Sequence, residues 1–261
     1  MGVQIINKDL LDFKNGVHIE EAVFSPDEIE ALRNAFYEVL KKCEDLREEA
    51  GTKGGMDNTV HHVLMMKKVI QIMIEKPQNQ RVIERFFGGK KYILNSLGGN
   101  NNTKKNYASN IHRDVRFYTA DNLMLNSIWC ISPLNENTGG TQFLLGSHLQ
   151  EKAPSEEKFN NCAINIQAPE GSIVYFDSRI WHRAGNPIDG LKERIIYTPI
   201  YSRPFIKPGY DYSQALQKSP EFAGSSDFIK QICSYYSDVP KNHVEWYGFD
   251  KRRFYMKDQD L

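Results

Sequence analysis

The chain has no excess of charge of either sign: 33 lysines and arginines balance 33 aspartates and glutamates over 261 residues. That balance argues against a nucleic-acid partner held by bulk electrostatics, though it leaves a local charged pocket open. Long apolar runs are also missing. None reaches the roughly 18 residues of a membrane helix, so no membrane partner is expected. The opening Met-Gly-Val-Gln-Ile-Ile lacks the basic-then-apolar layout of a secretory leader. Position 6 is Ile rather than the Ser or Thr that favours myristoylation, and a cytoplasmic protein is expected. Cysteine is scarce, and Cys43, Cys130, Cys162 and Cys233 form no Cys-x-x-Cys pair. They read as buried, reduced thiols rather than a metal ribbon or redox motif. There is no Pro/Ser-rich linker, repeat or low-complexity run, so residues 1–261 are expected to form one domain with a large core.

What is present is a series of short strand patterns separated by turn signals. Residues 16–23, 123–131, 162–167, 171–177 and 194–201 read as strands, and 92–99 as a strand running into a glycine turn. Residues 136–140, Glu-Asn-Thr-Gly-Gly, read as a turn before another apolar stretch at 141–148. Many short strands with turns between them point to a sandwich or jelly roll. Helical signals flank this array. Ser25-Pro-Asp-Glu is a capping box with Pro in the first turn, followed by Ile29, Leu32, Phe36, Val39, Leu40, Cys43 and Leu46 at helical spacing. Residues 60–75, 78–87 and 227–236 also read as helices. Residues 51–58 form a glycine-containing loop that can serve as a lid or a plain connector. The expected layout is a helical flank at about 25–88, a β core at about 90–204 and an appendage at 205–261.

The chemistry concentrates in His112-Arg113-Asp114, Trp181-His182-Arg183 and Arg194. In a strand, residues i and i+2 share a face. His112 and Asp114 can therefore meet one ion, with His182 as third ligand. Two imidazoles and one carboxylate on one side of a metal leave its other side open, which suits non-haem Fe(II) and oxygen chemistry, although zinc also accepts such ligands. His18-Ile-Glu20 and His243-Val-Glu245 compete as His-x-carboxylate triplets and read as solvated pairs.

In order, Gly16–Arg33, His112-Arg-Asp114, Thr138-Gly-Gly-Thr-Gln-Phe-Leu-Leu-Gly-Ser-His148, Gly171–Asp177, His182 and Arg194 resemble the phytanoyl-CoA dioxygenase family of Fe(II)/2-oxoglutarate oxygenases, over about Gly16 to Pro208. The resemblance implies a mainly β double-stranded β-helix (jelly-roll, cupin-like) core with flanking helices. It implies Fe(II) on His112, Asp114 and His182, with 2-oxoglutarate and O2 as co-substrates. Arg194, 12 residues after His182, matches the family's co-substrate arginine. Its planar guanidinium suits a carboxylate, with Lys192 and Arg183 as nearby alternatives.

The same resemblance puts Trp129 near 2-oxoglutarate, against the alternative of a core aromatic. Asn95 and Thr141 are further co-substrate candidates. Where several family members carry a serine two residues after the distal histidine, this chain has Ala184. His148 reads as structural, and at most one of His61 and His62 can face the pocket. Tyr118, Arg116, Asn126 and Arg183 are candidate substrate contacts. A carboxylate at 114 fills the position that related halogenases vacate for chloride, so hydroxylation of a small-molecule C–H bond is expected, with release of succinate and CO2. The alternatives are a jelly-roll protein that binds metal and 2-oxoglutarate without turnover, and a cupin-like zinc hydrolase or isomerase.

Overall fold

The computed structural model describes residues 12–248 apart from 53–55, 105, 106 and 221. Residues 1–6, the charged tail from Lys251 and the middle of the 51–58 loop fall outside that set. Two antiparallel sheets form the core. Strands β1 (Val17–Glu20), β2 (Thr59–Val60), β3 (Ile93–Asn101), β4 (Met124–Cys130), β7 (Ile173–Asp177) and β9 (Ile195–Ser202) make a six-stranded sheet in the order β1-β7-β4-β9-β3-β2. Strands β5 (Gln142–Phe143), β6 (Ile164–Asn165) and β8 (His182–Arg183) make a three-stranded sheet in the order β6-β5-β8. The mostly antiparallel β architecture with flanking helices is a jelly roll.

The period-two alternation of the large sheet gives it two distinct faces. On the outer face, Leu94, Leu97, Leu125, Trp129, Ile173, Tyr175, Ile195, Tyr197 and Tyr201 are buried in one cluster with α1 (Pro26–Glu49), α2 (Lys68–Ile74) and α3 (Pro77–Phe87). The inner face carries Ile128, Cys130, Val174, Phe176 and Ile196, packed with Phe143 and Ile180. Helix α1 begins with the expected box: Glu28 N donates to Ser25 Oγ at 3.3 Å and Ser25 N to Glu28 Oε2 at 2.8 Å. Its apolar stripe lies on the sheet, and the Tyr197 hydroxyl donates to Leu32 O at 3.0 Å. Leu46 leaves the stripe and is exposed. Among the described residues no helix is long and apolar enough to cross a membrane.

Several segments differ from the sequence expectation for local reasons. Residues 60–75 are not one helix. Val60 pairs with Gly99, and His62 has a φ of 54°, which breaks the helix before α2 begins at Lys68. The 227–236 helix is α6 (Asp227–Ile232), stopped by Ser234 at φ 65°. Between α3 and that segment lies α5 (Tyr212–Gln217), and α4 (Glu156–Cys162) occupies the start of the stretch expected as strand. Strand β3 does not turn at Gly98-Gly99 but runs through to Asn101. A Cβ on Gly99 would sit 2.7 Å from Ile196 O, so glycine here permits close strand approach rather than a turn.

Candidate metal and co-substrate site

His112 and Asp114 are not on a long strand. His112 forms an isolated antiparallel bridge with His182, exchanging N–H···O bonds of 3.0 and 2.9 Å. Asp114 and Val115 both donate their N–H to Ser178 O, at 2.9 and 3.0 Å. The loop after β3 is thus tied to β8 at His112 and to the β7–β8 connection at Asp114. Ligand atoms of His112, Asp114 and His182 all lie within 4.8 Å of one another, a spacing that can hold a metal ion. His112 Nε2 is 3.8 Å from Asp114 Oδ1, and His182 Nε2 is 3.8 Å from Asp114 Oδ2.

The tautomers follow from the partners. His112 Nδ1 lies 2.8 Å from Asn110 O, and His182 Nδ1 lies 3.0 Å from Ile180 O. A carbonyl only accepts, so each Nδ1 carries the proton and each Nε2 turns a lone pair inward, as metal-binding imidazoles do. Burial lowers the pKa of His182, opposed by Asp114 and reinforced by His112. The rings of Phe143 and Phe176, with centroids 5.7 and 4.8 Å from that of His182, wall it in. The side chains of His112 and Asp114 stay about a third exposed, so the cluster opens to solvent on their side.

Arg194 precedes β9 and shares the inner face with Ile196 by alternation. It is buried at 3% exposure. Its Nη2 donates to Gly139 O at 3.0 Å, while Nε is buried with no partner. Gly139 has a φ of 72°, and a Cβ there would come within 2.6 Å of the 185–187 backbone, so the Thr138-Gly-Gly turn admits only glycine where it offers that carbonyl. Burial lowers the pKa of Arg194. Cys130 beside it is pushed up to about 12 by burial and stays an uncharged thiol. No carboxylate among the described residues pairs with Arg194, and a desolvated guanidinium without a counter-charge calls for an anionic ligand. The inner face of β3 and β9 carries Ser96, Gly98, Asn100, Thr198 and Ile200. All are only partly buried, and Asn100 Oδ1 is a buried atom without a partner. From Asn126 to Cys130, β4 covers roughly 13 Å at ~3.4 Å per residue.

The other sequence candidates divide by face. Thr141 is buried and, two residues before Phe143, lies on the inner side. Asn126 also faces inward, but its amide is engaged by protein: Nδ2 donates to Asp114 Oδ2, and Oδ1 accepts from Ser178 Oγ at 2.7 Å. Trp129 is corrected to a core aromatic. It points to the outer face, with its ring 5.2 Å from Phe24 and 6.1 Å from Tyr197. Asn95 is held by protein partners. It is the extra residue at the register shift of β3, and its Nδ2 donates to Ser202 Oγ and Lys207 O at 3.3 and 3.4 Å. Arg183 faces away from His182, with Nε on Gln142 Oε1 at 2.6 Å and its guanidinium over the Phe159 ring. Of the alternatives to Arg194, Lys192 is exposed.

Arg116 and Tyr118 are exposed on the loop that follows Asp114. His148 is buried outside the cluster, close to Gly16. His62 bonds the Tyr212 hydroxyl at 3.0 Å, and His61 lies 3.1 Å from Thr59 Oγ1. His18 and Glu20 bond each other at 2.8 Å, without a third ligand among the described residues. Ala184 leaves Thr141, Ser96 and Thr198 as inner-face hydroxyls. Sequence reasoning missed the part played by Asn126. The signal was there: Asn126, Ile128 and Cys130 alternate with Ser127 and Trp129, so one cannot face the pocket with the other.

A jelly roll with two imidazoles and a carboxylate gathered inside it, and a buried arginine on the same inner face, defines the class of cupin-like metal-site proteins. The model of the phytanoyl-CoA dioxygenase (PhyH) family matches residues 14–187, and the chain belongs to that family. The uncharacterized protein Rv1501 of Mycobacterium tuberculosis is 31% identical over 135 residues, 52% of this chain and 49% of that protein. The chain spans about half the length of the curated relatives it matches at this level. Among solved structures, AviO1 from Streptomyces viridochromogenes Tue57 aligns with a TM-score of 0.56 and 19% identity, over 75% of this chain and 94% of that one. The epimerase SnoN, in complex with Fe3+, alpha ketoglutarate and nogalamycin RO, aligns with a TM-score of 0.59 and 15% identity, over 76% and 84%. At such identities the likeness is one of fold.

Proposed function

We propose that this protein is an Fe(II)- and 2-oxoglutarate-dependent oxygenase that hydroxylates a C–H bond of a small molecule. The observation that carries the reading is the pairing, inside one jelly roll, of an open His112–Asp114–His182 cluster with the unpaired, buried Arg194. The donor set fits Fe(II), since two neutral imidazoles and a carboxylate suit a borderline divalent ion and leave room for other ligands. A zinc hydrolase needs no buried guanidinium on that face, which favours the oxygenase over the cupin-like alternative.

His112, Asp114 and His182 would hold the metal through Nε2, a carboxylate oxygen and Nε2. Fe(II) held there would activate O2, which would supply the oxidising equivalents for both the decarboxylation of 2-oxoglutarate to succinate and CO2 and the C–H hydroxylation. The chain's own part is placement. Arg194 receives the far carboxylate of the co-substrate in a dry pocket, where a charge-assisted bond is strong. The Asn110 and Ile180 carbonyls keep both imidazoles in the ligating tautomer. Phe143 and Phe176 exclude water from the His182 side. The half-open His112 and Asp114 side, bordered by the loop with Arg116 and Tyr118, is where a small-molecule substrate enters. A carboxylate at 114 leaves no ligand position vacated for halide, which supports hydroxylation.

The test is anaerobic addition of Fe(II) and 2-oxoglutarate, followed by admission of oxygen. A visible charge-transfer band and then stoichiometric succinate are expected. A protein that binds zinc but yields no succinate with any added amount of Fe(II) refutes the proposal. Incorporation of labelled oxygen from O2 into the product separates hydroxylation from a net epimerisation, the activity for which the epimerase SnoN is named.

A further inference from the structure

We propose that Asn126, itself set by Ser178, is a positioning residue that makes Asp114 a one-oxygen ligand; this rests on the metal-site reading above. The Asp114 side chain is about a third exposed, and its carboxylate has rotational freedom to lose. Ionised, it accepts only, so the group of Asn126 that faces Asp114 Oδ2 is the NH2. Asn126 Oδ1 then faces Ser178 Oγ at 2.7 Å, and the hydroxyl donates. The amide orientation is thereby fixed from both ends.

The mounting is rigid. Asn126 sits in the middle of the sheet, opposite Phe176 on β7 and Ile200 on β9, at 6% exposure. Ser178 is fully buried, and its carbonyl takes the Asp114 and Val115 N–H groups. One residue therefore grips Asp114 twice, by its backbone directly and by its carboxylate through Asn126. With one lone pair of Oδ2 committed to the amide, the carboxylate is held against rotation, and Oδ1, 3.8 Å from His112 Nε2, is the oxygen that carries no hydrogen bond from the described residues. A carboxylate held in this way takes one coordination position rather than two, and keeps an extra place open for ligands that arrive later. Outer partners of this kind fix the orientation of a metal ligand.

Co(II) serves as the probe, because its visible absorption reports coordination number and its affinity is read by calorimetry, both without turnover. Asn126→Ala should weaken Co(II) binding by about 10–100-fold and change the intensity of the visible bands, as Asp114 rotates to offer two oxygens or swings into water. Ser178→Ala, which removes only the hydroxyl, should move both readouts in the same direction by less. Ser178→Ala leaves the buried Asn126 Oδ1 unpaired and should lower the metal-free melting temperature modestly, so affinity and spectrum are read well below that temperature, where the variant is folded. Wild-type affinity and an unchanged spectrum in Asn126→Ala would overturn the proposal. If that variant does not fold, an unchanged affinity and spectrum in Ser178→Ala overturn it instead. Absence of Co(II) and Fe(II) binding by the wild-type protein is a different result, and it removes the proposed function as well.

Discussion

His112 and His182 face each other across a single antiparallel bridge, exchange both backbone hydrogen bonds, and hold their ring centroids 4.3 Å apart. Seventy residues of chain separate them, yet their backbones are bonded to each other, and each ring is held by its Nδ1 on a nearby carbonyl, that of Asn110 or Ile180. A pair built in this way is preorganised for an ion before one arrives, and Asp114 closes the triangle.

The first prediction concerns that triangle. Fe(II) or Co(II) should raise the unfolding temperature of the wild-type protein, because a ligand that binds only the folded state stabilises it by about 2.7 kcal/mol at 100 times its Kd. The same addition should leave His112→Ala and Asp114→Ala unchanged. A thermal shift retained in both variants would place the metal elsewhere.

Arg194 gives a prediction with two opposed signs. Losing one partner of a buried charge pair costs about 2–5 kcal/mol, so Arg194→Met should weaken 2-oxoglutarate binding by at least ~30-fold while leaving metal affinity nearly intact. Without ligand, the same substitution removes an unpaired buried charge, and the unfolding temperature should hold or rise. Unchanged 2-oxoglutarate affinity by calorimetry on the Fe(II) protein rejects the assignment.

Trp129 should behave as core. Trp129→Ala removes a fully buried aromatic packed between Phe24 and Tyr197, and a loss of about 3–5 kcal/mol in chemical denaturation is expected. Trp129→Phe should cost less. In Trp129→Phe the 2-oxoglutarate affinity should match the parent, and a specific loss there would return the residue to the pocket.

Acid should destabilise the metal-free protein. Burial lowers the pKa of His148, His62 and His182 in the folded state. Below about 6.5 the unfolded chain therefore binds more protons than the folded one, and stability falls as pH drops through that value. Unfolding free energies measured between about pH 8 and pH 5 should decline toward acid, with a shallower slope in His148→Asn. A flat profile in the wild-type protein contradicts this.

Much of the site was legible because its chemistry is local in sequence. His-x-Asp, the later His and the Arg are rare residue types at fixed intervals, and the capping box at Ser25 and the apolar stripe of α1 obey short-range rules. What was illegible depended on phase. Asn95 loses its expected place because the register shift beside it inserts one residue into β3 and resets the alternation. Trp129 packs in the outer core while Asn126 faces Asp114 because they lie on opposite faces of β4, and nothing within the strand says which face is the interior. The segment 60–75 has helical spacing, but pairing of Val60 with Gly99 decides otherwise.

By itself, then, the amino-acid order determined which groups were available: two imidazoles, a carboxylate and a guanidinium, on a chain whose strand patterns suit a jelly roll. Tertiary structure alone decided that His112 meets His182, that Asn126 grips Asp114, and that Arg194 is buried with no carboxylate partner among the described residues. Residue type sets what a group can donate or accept. Only the closing of distant strands sets which partners remain within reach and which are withheld by burial.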